Sequence, residues 1–134
     1  MSLPPEHDRY AHRDVCQRLI DALVATHDEI TGALVCSVDG FEIAGSLPAS
    51  LSAAKLAAMT SSLVALGEAV SGEGGVGGCL NVVIESQAGR LMMMDIPGDS
   101  RNLLTVISDD SATLGHVLWA VRECAQELSL RMTR

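Results

Sequence analysis

The residues best equipped for chemistry are a glycine-rich run Gly72–Gly78, four histidines, the triplet Asp109-Asp110-Ser111, and scattered arginines and cysteines. Phosphate-binding loops place a strand before the glycines and a helix after them, so that the helix N-terminus faces the anion. Here the predicted order is helix, glycines, strand, and no Gly-Lys-Ser/Thr follows. The run reads as a flexible connection, and nucleotide hydrolysis is not this chain's own chemistry. His7 and His12 stand five apart near the N-terminus, off the shared helical face that HExxH ligands need. Together with His27 and His116 they read as solvated surface residues, and no metal is assigned. Asp109 and Asp110 precede a predicted helix, where acids serve as caps and dipole partners. No GxSxG elbow anchors a nucleophilic serine. Arg90 and Arg101 lie on predicted turns, where an arginine finger could stand, but neither has supporting context. Cys16, Cys36, Cys79 and Cys124 each sit in an apolar run without CxxC spacing, as small buried hydrophobes in a reducing compartment do. No catalytic, cofactor-binding or metal-binding residue follows, and the chain is not read as an enzyme.

Composition narrows the classes further. The 134 residues are 48% hydrophobic and 19% charged, enough for one domain with a packed core. Tyr10, Phe41 and Trp119 are the full aromatic set, so Val, Leu, Ile, Met and Ala must build that core. A net charge of −8 and the shortage of stacking rings argue against nucleic acid and against an anionic membrane surface. The opening MSLPPEHDRYAHRD has no apolar h-region, and no uninterrupted apolar run approaches the ~18 residues of a membrane span. A cytoplasmic protein is expected, with residues 1–10 as a flexible tail and 11–130 as a single domain.

The elements that must position these residues follow from periodicity. Val15, Leu19 and Leu23 recur at helical spacing from Asp14 to near His27. Ala33–Val38 reads as a strand and Phe41–Gly45 as its return, across Asp39-Gly40, a signal for a type I′ turn. Leu51–Val70 is a helix with Ser50 or Ser52 as N-cap, ended by the glycines. Strands follow at Cys79–Ser86, Leu91–Ile96 and Leu103–Ser108, joined by turns at 87–90 and 97–100. Met92, Met93 and Met94 alternate across the fourth strand as core filling, with an adaptable partner surface as the alternative. A last helix carries the stripe Leu114, Val117, Leu118, Val121, Ala125 and Leu128. The order α-β-β-α-β-β-β-α, with short turns inside the β pairs, requires an antiparallel five-stranded sheet. Both sheet faces carry apolar residues, so helices must sandwich it.

The middle helix is unusual. Leu56, Met59, Leu63, Leu66 and Val70 form an apolar seam, while Ala54, Ala58, Ser61 and Ala65 form a second stripe of small residues. Lys55 and Glu68 are its only charges, so it lacks a solvated side. The expectation is self-association, with one stripe on the sheet and the other against a twofold mate.

In this order and spacing the chain resembles the bacterial branch of the roadblock / dynein light chain family. The resemblance rests on Ile30–Gly40 with Ile43-Ala44, on Lys55–Met59, on Val82–Glu85 with Gly89, and on Leu103–Ile107 followed by Asp109, Asp110, Leu114 and Gly115. It spans about residues 14 to 128. It implies a roadblock/profilin-like fold and a non-catalytic homodimer, with paired middle helices and edge strands joined into one sheet. Carried over, the dimer interface is Ala54, Ala58, Ser61, Ser62 and Ala65 on the helix, with Leu80, Asn81 and Val83 on the edge strand Cys79–Glu85. The implied partners are a small Ras-like GTPase and, in actinobacterial-type members, a sensor-kinase-like protein, within a cytoplasmic signalling complex and without a cofactor. A PAS- or profilin-like small-molecule sensor is the alternative, and Asn81, Thr105 and Ser108 are its few buried polar candidates.

Overall fold

The computed structural model describes residues 6–98 and 101–132, and side chains from residue 12 onward. The elements are α1 (Glu6–Thr26), β1 (Ile30–Ser37), β2 (Glu42–Ser46), α2 (Ala53–Glu73), β3 (Val82–Ser86), β4 (Gly89–Ile96), β5 (Asn102–Ser108) and α3 (Leu114–Met132). The five strands form one antiparallel sheet, as the α-β-β-α-β-β-β-α reading requires, and their order in it is β2-β1-β5-β4-β3. This is the roadblock/profilin-like fold.

Alternation along the strands divides the apolar residues between two cores. Val35, Met92, Met94, Leu104 and Val106 face α1 and α3, where Cys16, Ile20, Val117, Val121 and Leu128 meet them. Leu34, Cys36, Met93 and Leu103 face α2 and pack on Ala57 and Val64. Two helices therefore cover one face and a single helix the other. The three methionines split two and one, as their alternation predicts, and all are buried. Residues on the central strands β1 and β5 are buried on both faces, which is why those strands read as apolar runs rather than as alternation.

Several boundaries differ from the sequence reading. Helix α1 begins at Glu6, inside the expected tail and well before Asp14; residues 1–5 of that tail lie outside the described residues. A proline pair just ahead of a helix does not oppose it, because the first turn has no use for those N–H groups. The β1–β2 turn is not type I′. Within the turn only Gly40 has positive φ, at +92°, and its N–H donates to Ser37 O, so Asp39 keeps a negative φ ahead of a single left-handed glycine. Strand β3 starts at Val82, leaving Cys79, Leu80 and Asn81 in the preceding loop. Of the expected 97–100 turn, Asp99 and Ser100 lie outside the described residues. Helix α3 is capped by Thr113, whose Oγ1 accepts from His116 N–H at 3.2 Å, whereas Asp109 turns back to bind Ser111.

Candidate functional site

Helix α2 holds the feature that needs explaining. Ser52 caps it by accepting from Lys55 N–H at 3.2 Å. Its end is a Schellman turn, in which Val76 N–H reaches Ser71 O and Gly75 N–H reaches Gly72 O, with Gly75 in the left-handed region. The glycine run is thus a helix stop followed by a connection to β3.

The rotation of α2 matches neither expected stripe. Ala57, Thr60 and Val64 point inward, flanked by half-buried Leu56 and Leu63. Thr60 Oγ1 meets Thr105 Oγ1 at 2.7 Å in a fully buried hydrogen bond that fixes the helix on β5. Ser61 donates to Val38 O, and Gly40 lies close against Ala58 and Ser61, so the β1–β2 turn braces the same helix. The seam consequently splits: Leu56 and Leu63 touch the sheet, while Met59, Leu66 and Val70 are 58%, 59% and 61% exposed. At 3.6 residues per turn, these three line one flank of the outer face and Ala54, Ala58, Ala65 and Ala69 line the other, with Lys55 and Ser62 between. A narrow seam of large residues has the pattern of a core stripe, whereas the inward stripe is made of the smaller residues Ala57, Thr60 and Val64.

Among the expected interface residues, Ala54, Ala58, Ser62 and Ala65 are exposed on this outer face and Leu80 is exposed in the loop before β3. Ser61 is half-buried with its hydroxyl engaged. Asn81 is half-buried, its carbonyl accepting from Cys79 Sγ. Val83 packs toward the α1/α3 core, away from α2. Strand β3 is a sheet edge, and Gly67 of α2 lies tight against Val82 and Cys79, so the outer face of α2 and the β3 edge are neighbours.

By length and mean hydropathy (1.2), α2 also reaches the range of a membrane span. Its inner face, however, is bonded to the sheet through Thr60 and to the turn through Ser61.

Arg90 Nη1 donates to Ala112 O at 2.8 Å, which ties that guanidinium to the domain, and exposed Arg101 lies 3.4 Å from Asp95. Cys16, Cys36 and Cys124 are buried thiols, but Cys79 is only half-buried. Thr105 is spent on Thr60, and Ser108 Oγ is buried without a hydrogen bond beside an open, mainly apolar groove at Thr31, Gly89 and Ile107. His27 and His116 are not isolated: both rings converge on Glu29, whose carboxyl is held below its ordinary value by its own backbone N–H and then by the two imidazoles. The only sequence signal for that cluster was the pair His27 and Glu29, since His116 lies far along the chain.

These features define an α/β domain in which a single helix, α2, covers one face of the sheet and leaves its own outer face exposed. The Roadblock/LC7 domain pattern matches residues 17–108, more than half of the chain, and the chain belongs to that family. A curated relative, uncharacterized protein MJ0714 of Methanocaldococcus jannaschii, is 29% identical over 101 residues, covering 75% of this chain and 83% of that protein. The Roadblock/LC7 domain from Streptomyces avermitilis superposes with a TM-score of 0.78 at 22% identity, over 88% of this chain and 98% of that one. Myxococcus xanthus MglB superposes at 0.74 with 21% identity, over 97% and 92%.

Proposed function

We propose that this protein is a non-catalytic homodimeric adaptor or regulator of a small Ras-like GTPase in a cytoplasmic signalling complex, with a sensor-kinase-like protein as a further partner. The observation that carries the reading is the outer face of α2, where Met59, Leu66 and Val70 are each more than half exposed on one helix. Burying their exposed parts against a twofold copy contributes roughly 1–2 kcal/mol per side chain. That gain is comparable to the cost of association, so the neighbouring β3 edge must add backbone pairing. A self-complementary patch of this kind suits an isologous contact, and the alanine flank admits close approach. Membership of the Roadblock/LC7 family supports the regulatory half of the proposal.

The GTPase half is tested by capture of small GTPases from native lysate on the immobilised chain, loaded with GDP or a non-hydrolysed GTP analogue. Recovery in one nucleotide state supports a regulator. Recovery in neither leaves a structural dimer.

A further inference from the structure

A second cluster stands at the other end of the domain, where α1 stops, β1 begins and α3 makes its first turn. Glu29 Oε1 lies 3.4 Å from His27 Nδ1 and 3.2 Å from His116 Nε2. The oxygen is shut off from solvent. All three potential ligand atoms lie within 4.8 Å of one another. From these contacts we propose that His27, Glu29 and His116 form a binding site for a divalent transition-metal ion, zinc being the best match.

The distances decide the chemistry. Zinc with nitrogen and oxygen ligands at about 2.0–2.1 Å in a tetrahedron has ligand-to-ligand edges of about 3.3–3.4 Å. Two of the three edges here already have that length. The third, between the imidazole nitrogens, falls within the 4.8 Å that bounds the cluster, and His116 is half exposed, so its ring has room to adjust. Two imidazoles and one carboxylate suit zinc better than magnesium or calcium, which prefer oxygen alone. His116 faces solvent on its outer side, leaving room for water as the fourth ligand. The backbone is set for the purpose: Glu29 O accepts from Asp109 N–H, and Ile30 N–H donates to His27 O, so the two β1-side ligands do not depend on the ion for their placement. A bound ion would clamp the end of α1 to the start of α3, independently of the outer face of α2.

Zinc alone, titrated into chelator-stripped full-length protein by calorimetry, tests the site. The expected result is one zinc per chain, a higher thermal midpoint, and shifts of the His27 and His116 ring nitrogens in NMR spectra. Loss of a direct ligand should exceed the roughly 10–100-fold effect of losing a ligand's partner, so His116→Gln and Glu29→Gln should each weaken binding more than tenfold. Cys79→Ser and His12→Gln should leave it unchanged. Absence of saturable zinc uptake, uptake that survives both ligand substitutions, or uptake abolished by Cys79→Ser would overturn the proposal, leaving a histidine–carboxylate ion pair as the account of the cluster.

Discussion

Thr60 on α2 and Thr105 on β5 share a hydrogen bond of 2.7 Å with both residues wholly buried. This contact sets the rotation of the helix: with Thr60 inward, Met59, Leu66 and Val70 must face outward. A buried hydroxyl left without a partner costs about 1–3 kcal/mol, whereas removing both partners is much less costly. Urea unfolding of Thr60→Val, Thr105→Val and the double variant should therefore show the double to be less destabilised than the sum of the singles. Simple additivity would mean that the pair does not hold the helix.

Gly89 is required by space rather than by a left-handed backbone. A Cβ there would stand 2.1 Å from Ser108 O, a backbone atom of the neighbouring strand that cannot swing aside. Gly89→Ala should cost about 1–3 kcal/mol or more in denaturant unfolding, through displacement of the β4–β5 pairing. At Gly115 in α3 the same Cβ meets nothing within 4 Å, so Gly115→Ala should be neutral or stabilising by up to about 1 kcal/mol.

Thiol reactivity should separate the cysteines. Burial pushes Cys16, Cys36 and Cys124 up to about 11, so near pH 8 almost none of each is thiolate. Cys79 is half-buried in the loop before β3. A disulfide reagent at pH 8 should modify Cys79 first and reach the other three only on unfolding. Rapid reaction of all four in the native state would contradict the packing of both cores.

Asp109 should contribute to acid sensitivity. The Ser111 hydroxyl, and then the Ser111 backbone N–H, hold its carboxyl below the ordinary aspartate value. A group lowered in the folded state gives stability that is present above its unfolded pKa and lost as pH falls through the folded one. Asp109→Asn should therefore flatten the decline in stability below about pH 4, measured by thermal unfolding across pH. An unchanged acid limb would show that the turn contributes nothing.

Much of the architecture was legible because antiparallel neighbours joined by short turns leave few topologies, and because Met92–Met94 alternate cleanly. The rotation of α2 was not legible. Ala57, Thr60 and Val64 are small or polar enough to read as an outer face, and the distinction rests on Thr105, far away in sequence. The start of α1 was missed because the polar residues after Pro5 carry no apolar periodicity to announce a helix. The type I′ turn failed because Asp-Gly also serves a turn with one left-handed glycine. His27 and Glu29 suggested nothing until the fold brought His116 beside them.

The central claim is that the outer face of α2 is covered by a second copy of the chain. Sedimentation equilibrium at micromolar concentration, on the wild type and on Leu66→Glu, tests it most directly, since Leu66 faces away from the sheet and its replacement leaves the cores intact. The account predicts about twice the 14.1 kDa chain mass for the wild type and a folded monomer for Leu66→Glu. A monomeric wild type, or a dimer indifferent to the substitution, would contradict it.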